Sequence, residues 1–305
     1  MKPIRCIHVI TRLILGGAQE NTLLTVEGLD RMDRYDTTLV TGPALGPEGS
    51  LIERARANEV DLMILDRMRR PIRPVNDWLV YRDLIRIFRR EKPDIVHTHS
   101  SKAGILGRLA ASAARVPVVI HTVHGSPFHN YQNAAANQLY IRLERRAARV
   151  SHRIITVADA MTNQFVAAGV APREKFITIH SGMEVEPFLR ENGARDRVRA
   201  EFGINADEIV IGKIARLFHL KGHDDVLRAF AGIADKFPKA RLLFVGDGIL
   251  QDQLVRLAAD LGIGERVTFA GLVPPKRIPD MIKAMDMLVH ASLREGLARV
   301  LPQAL

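Results

Sequence analysis

Cysteine is almost absent: the chain of 305 residues has one, Cys6. No disulfide can form within it, which excludes a stapled secreted scaffold and makes a cytoplasmic setting the expectation. Aromatic residues are also scarce, at 5%. The basic clusters lack the interleaved rings on which single-stranded nucleic acid stacks, so nucleic acid is not expected as a partner. Long apolar runs are missing. The run from Cys6 is short and broken by Arg12, so no signal peptide is read. No segment reaches the roughly 18 apolar residues of a membrane-spanning helix. Also absent are internal repeats, low-complexity tracts and, after the first strand, the Gly-x-Gly-x-x-Gly dinucleotide fingerprint.

What is present is the composition of an ordinary globular protein, 47% hydrophobic and 26% charged. The length exceeds one hydrophobic core, so two domains are expected. The net charge of +10 is uneven, +8 over residues 1–190 and +2 over 191–305. The excess lies at Arg67, Arg69, Arg70 and Arg73, at Arg82 to Lys92, and at Arg142 to Arg153. It suits either an arginine-rich solvated surface or peripheral contact with an anionic membrane.

Short β-branched runs alternate with amphipathic stretches along the whole length. Strands are predicted at Ile4–Thr11, Thr37–Thr41, Asp61–Leu65, Ile95–His99, Val118–Thr122, Arg153–Val157 and Phe176–Ile179. Further strands are predicted at Ile209–Ile214, Arg241–Val245, Val267–Phe269 and Met287–His290. Helices are predicted between them, among others at Asn76–Glu91, Lys102–Ala114, Asn137–Val150, Gly222–Lys236 and Ile249–Leu261. This order implies an α/β protein with two Rossmann-like, doubly wound parallel sheets. The expected domains are 1–190 and 191–305, divided near Pro187–Gly193 and facing a cleft. The second is expected to be incomplete, since the chain ends in the opening turns of a helix at Pro302–Leu305.

The most informative stretch is Ile209–Gly222, where a buried strand delivers Arg216 and Lys221 to its carboxyl end. Two fixed cations beside helix N–H groups suit a diphosphate. Gly16-Gly17 follows the first strand and would let backbone N–H groups approach a phosphate or sugar hydroxyl, although a simple tight turn explains it equally well. His97, His99, His121, His124 and His129 crowd around two strand ends, but no carboxylate or cysteine joins them in a zinc-binding spacing, so no metal is expected. His124 is read as a loop residue facing the cleft, and His97 and His121 as packed strand residues. Glu295 and Gln303 are eight positions apart on an expected helix opening, hence roughly on one face. Such a pair can hold vicinal hydroxyls; capping by Glu295 would be the plainer explanation were Arg216 and Lys221 not present. Val245–Gly248 and Gly271–Pro274 end two further strands and could present backbone groups to a base, although turn formation explains them equally well.

Taken in order, these residues resemble the family-4 retaining glycosyltransferases of the GT-B fold. The landmarks are Gly16-Gly17-Ala18, Asp94–His99, His121–Gly125, Ser181-Gly182-Met183, Arg216…Lys221-Gly222, Val245–Gly248 and Ser292–Gly296. The resemblance implies that Arg216 and Lys221 neutralise the donor diphosphate and that Gly17 meets the distal phosphate. It implies that Glu295 holds donor-sugar hydroxyls with backbone help from Gly296 and Leu297, that His124 contacts the transferred sugar, and that the base lies near Leu272 and Val273. Gln303 stands where the family has a second glutamate for the ribose, and Ser181 where asparagine is frequent.

The implied activity is metal-independent transfer of a hexosyl group, with retention, from a UDP- or GDP-sugar to a glycan or lipid-linked acceptor of the cell envelope. No cofactor is expected, and the location would be cytoplasmic, with possible peripheral contact on the inner face of the plasma membrane. One rival is a nucleotide-sugar epimerase on the same architecture, which requires carboxylates as acid and base in the cleft. Another is a non-catalytic, degenerate transferase that binds sugar nucleotide or membrane, a reading that Gln303 favours.

Overall fold

The computed structural model describes residues 2–46 and 49–305. The chain divides into two units, Met1–Met183 and Glu184–Leu305. In the first, the order is β1 (Ile4–Ile10), α1 (Gly17–Asp30), β2 (Tyr35–Thr41), α2 (Ile52–Ala57), β3 (Asp61–Ile64), α3 (Pro74–Glu91) and β4 (Ile95–His99). It continues with α4 (Ser101–Ala113), β5 (Val118–Val123), α5 (Ala134–Arg149), β6 (Arg153–Thr156), α6 (Asp159–Ala167) and β7 (Phe176–Thr178). All seven strands are parallel, in the order β3-β2-β1-β4-β5-β6-β7. The direction of winding therefore reverses between β1 and β4, and ligands of such sheets bind beyond the strand ends at that point.

Side chains alternate across the strands and so sort onto two faces. Ile7, Val9, Val96 and Val119 pack with Val80, Leu84 and Phe88 of α3 and with Ala103, Ala110 and Ala111 of α4. Helix α4 lies close because it has no side chain at Gly104: a Cβ there would come 2.4 Å from the ring of His121. The opposite face takes Ile10 and Leu39, packed with Leu23 and Val26 of α1 and Ala55 of α2. Cys6 and His8 alternate onto this second face, and His8 is in register with His97 of β4. Helices α4 and α5 are joined by a wholly buried pair, Arg108 Nη2 to Glu144 Oε2 at 2.6 Å.

The second unit runs α7 (Glu186–Leu189), α8 (Ala194–Glu201), β8 (Ile209–Ile214), α9 (His223–Ala231), β9 (Ala240–Val245), α10 (Gln251–Asp260), β10 (Val267–Phe269), α11 (Ile278–Lys283), β11 (Met287–Leu288) and α12 (Val300–Ala304). Its four described strands are parallel in the order β10-β9-β8-β11, with the reversal between β8 and β11. Leu242 and Phe244 pack with α9 and α10 on one face, and Val210 and Leu243 with α8 and α11 on the other. Arg199 of α8 ties the base of this sheet together by bonding Asp286 Oδ2 at 2.6 Å, an oxygen that also accepts from the Val210 N–H at 2.7 Å.

Among the described residues eleven strands are found where eleven were expected, with ends shifted by a residue or two. The predicted helix over Gly222–Lys236 is in fact α9 followed by a separate 3₁₀ turn at Ala234–Lys236. The units divide at Met183/Glu184 rather than near residue 190. The physical reason is α7, which packs on α11 and accepts Lys283 Nζ at the Pro187 carbonyl (3.2 Å) and also at that of Arg190.

Candidate active site

The winding reversal of the second sheet gathers most of the sequence-predicted site. Beyond β8, Arg216 is exposed with its guanidinium 4.8 Å from the Phe218 ring. Lys221 reaches the loop beyond β11, where its Nζ lies 2.6 Å from Glu295 Oε1. The two loops are clamped by backbone bonds: the Leu220 carbonyl accepts from the Leu293 N–H at 2.9 Å and from Ser292 Oγ at 3.1 Å. Gly222 permits this closeness. Its φ is +65°, and a Cβ would come 2.1 Å from the Ala291 carbonyl oxygen. Leu220 itself has φ +66°, a conformation that β-carbon-bearing residues adopt only when the surroundings enforce it.

Beneath this pair lies a buried basic layer. Lys213 of β8 is fully buried, and its Nζ has no hydrogen-bond partner among the described residues. Burial, followed by the nearby Lys221, lowers its ammonium to about 8. His223 opens α9 edge-on to Phe244 at 5.2 Å, and burial lowers its imidazole to about 3. His290 Nε2 sits 3.4 Å from Glu295 Oε1. Burial pushes the Glu295 carboxyl up, but the bond from Lys221, helped by Ser292 and His290, outweighs it and holds the carboxyl below its usual range. A half-buried carboxylate is thus kept ionised over a basic floor.

The first unit carries Gly16, Gly17 and His124 beyond the ends of β1 and β5. Gly17 opens α1 and Gly16 caps it; Gly16 has φ 168°, extended backbone that does not itself demand glycine. Gly182 donates its N–H to Asn21 Oδ1 at 2.9 Å, seating the Ser181-Gly182-Met183 landmark on α1. Thr11 and Ser100 join the ends of β1 and β4 through a 2.7 Å hydroxyl bond. His124 follows β5 and meets His99 Nδ1 through Nε2 at 3.1 Å.

Two expectations need correction. Glu295 and Gln303 do not share a helix: α12 spans Val300–Ala304, so Glu295, Gly296 and Leu297 lie in the preceding loop. Glu295 is not a helix cap either, since Arg299 occupies the cap of α12 and the Glu295 carboxylate is taken by Lys221. Val273 is buried against Val245, Met281 and Met285, which is compatible with the expected backbone contact to a base, whereas Leu272 is exposed. Lys213, His223 and His290 escaped sequence reasoning. A lysine inside an apolar strand at Ile211-Gly-Lys-Ile214 was the available signal. Cys6 and His8 were missed as well. One ring nitrogen from each of His8, His97 and His99 lies within 4.8 Å of the others, a grouping that can in principle hold a metal ion.

Comparison with known proteins bears on both units. The family model for the glycosyl transferase 4-like domain matches residues 16–182, and that for glycosyl transferases group 1 matches residues 194–305. The chain is 29% identical over 304 residues to the UDP-Gal:alpha-D-GlcNAc-diphosphoundecaprenol alpha-1,3-galactosyltransferase of Escherichia coli, covering 99% of this chain and 76% of that protein. It is 32% identical over 223 residues to the D-inositol 3-phosphate glycosyltransferase of Mycolicibacterium smegmatis, covering 69% of this chain and 49% of that one. Among solved structures, HepE of Anabaena in complex with UDP and glucose superposes with a TM-score of 0.81 at 20% identity, covering 99% of this chain and 78% of that one. With both units matched by glycosyltransferase models and the fold shared with HepE, the chain belongs to the family-4 glycosyltransferases of the GT-B fold.

Proposed function

We propose that this chain moves a hexosyl group from a nucleotide-diphosphate sugar to an acceptor hydroxyl, with retention at the anomeric carbon and without a metal ion. The observation that carries the reading is the meeting of Lys221 and Glu295 at the winding reversal of the second sheet, with Arg216 on the loop beyond β8. As the sugar–phosphate bond breaks, negative charge grows on the diphosphate, and Arg216 and Lys221 supply fixed positive charge. Such prearranged donors are each worth about 3–4 kcal/mol in the transition state. Glu295 accepts hydrogen bonds from sugar hydroxyls, assisted by backbone groups of Gly296 and Leu297. Leu272 and the Val273 backbone serve the base, and the Gln303 amide serves the ribose. Gly16, Gly17 and His124 are assigned to the distal phosphate and the transferred sugar.

The Escherichia coli relative is named for a UDP-Gal donor and a diphosphoundecaprenol-linked acceptor, which supports a UDP-sugar and a lipid-linked glycan here. Contact with an anionic membrane fits that acceptor. Ile72, Val75 and Trp78 are exposed beside Arg69, Arg70 and Arg73, while no described helix is long and apolar enough to cross a membrane. The stripe of Tyr140, Leu143, Ala147 and Val150 is instead wholly or partly buried, so α5 does not supply an insertion face. The test is nucleotide release from a panel of UDP- and GDP-sugars, with the anomeric configuration of the product read by NMR and EDTA present throughout. Wild-type turnover by Arg216→Ala refutes the site, inverted product refutes retention, and loss of activity in EDTA refutes metal independence.

A further inference from the structure

Three side chains on one face of the first sheet, Cys6, His8 and His99, form an unbroken hydrogen-bonded series with His124 in the loop beyond β5. Cys6 Sγ lies 3.4 Å from His8 Nε2, His8 Nδ1 lies 3.0 Å from His99 Nε2, and His99 Nδ1 lies 3.1 Å from His124 Nε2. The rings of His8 and His99 stack at 5.3 Å, as do those of His99 and His124. Cys6, His8 and His99 are 4%, 0% and 1% exposed, so the inner members reach no solvent. His97, packed 4.3 Å from His99, stands outside the series because its Nε2 is engaged by Thr122 Oγ1 at 2.8 Å.

A neutral imidazole carries one proton on one of its two nitrogens, and each link of the series holds one proton between two atoms. The protonation patterns are therefore not independent. If Cys6 S–H donates to His8 Nε2, then His8, His99 and His124 each carry their proton on Nδ1. If His124 Nε2–H donates inward instead, all three carry it on Nε2. Mixed patterns put two protons, or none, into one link. The Cys6 end decides between the two. His8 Nε2 is the partner of Cys6 Sγ among the described residues, so only the Nδ1–H pattern uses the buried thiol proton.

We propose that Cys6, His8 and His99 are positioning residues that fix His124 as its Nδ1–H tautomer, so that its second ring nitrogen, itself buried in this structure, is a hydrogen-bond donor rather than an acceptor. The functional part rests on the assignment of His124 to the transferred sugar; the tautomer itself does not. Burial keeps the inner links neutral, holding His8 near 4, His99 well below its ordinary value and the Cys6 thiol near 12.

The test is long-range ¹⁵N–¹H correlation NMR on histidine-labelled full chain, with donor kinetics on the same samples. The wild type should show His8, His99 and His124 all as Nδ1–H. Cys6→Ala should give His124 a mixed tautomer and lower kcat roughly two- to tenfold, the size of one lost hydrogen bond, with donor KM unchanged. Cys6→Ser, which restores a donor, should recover both. Wild-type His124 as Nε2–H, a tautomer differing from those of His8 and His99, or Cys6→Ser behaving like Cys6→Ala overturns the proposal. A shifted tautomer with unchanged kcat overturns the positioning role. Stoichiometric zinc in the purified protein, lost in His8→Leu, overturns it too, because a metal would occupy the facing nitrogens. If the wild type transfers no sugar, the assignment of His124 falls while the spectra still decide the series.

Discussion

Lowering the pH from 7.5 to 5.0 should destabilise the first unit, in part through His8. This imidazole is fully buried between Cys6 and His99, and burial lowers it from 6.5 to about 4. The unfolded chain therefore takes up a proton near 6.5, whereas the folded chain resists until about 4. The associated stability is complete above the first value, declines as the pH falls between the two, and is fully lost below the second. At pH 5.0 the His8 share of the loss is about 2 kcal/mol. His97, His99 and His121 are shifted in the same direction by burial and add to it. The assay is urea denaturation followed by fluorescence of Trp78, the one tryptophan, which lies in α3 and so reads this unit. His8→Leu should lessen the pH dependence by the His8 share. Identical pH dependence in wild type and variant would refute the reasoning.

Three further outcomes can be measured. Glu144→Gln strands the buried Arg108 guanidinium and should cost about 3–5 kcal/mol in chemical denaturation; a loss below 1 kcal/mol would mean that water reaches the pair. Lys213→Met removes a buried ammonium without a described partner and should stabilise the second unit by about 1–3 kcal/mol near neutral pH while weakening nucleotide binding in calorimetry. Gly222→Ala forces a Cβ against the Ala291 carbonyl and should lower both thermal stability and donor affinity; an unchanged melting temperature would contradict the contact.

The strands were legible because each is a short β-branched run closed by a turn, and parallel pairing follows from the intervening helices. The placement of Arg216 and Lys221 was legible for a related reason: both follow β8, so the fold itself carries them beyond its carboxyl end. The place of Glu295 beyond β11 was expected, but its geometry was not. A helix was inferred from spacing with Gln303, whereas α12 begins only at Val300. The imidazole series was half seen. His99 and His124 stand close in sequence, but His8 joins them only because β1 and β4 pair in register, a contact between residues 91 apart that no local pattern reveals. Lys213 was hidden for the opposite reason, since its apolar neighbours made Ile209–Ile214 read as a plain core strand.

The Lys221–Glu295 contact makes each residue the other's competitor for a visitor. Inorganic pyrophosphate would recruit the ammonium only by stranding the carboxylate, and a nucleotide stripped of its sugar meets the same imbalance. An intact donor brings an anion for one and hydroxyls for the other, exchanging both halves at once. On the proposed assignment of these two residues, the pair would therefore favour the whole donor over its fragments.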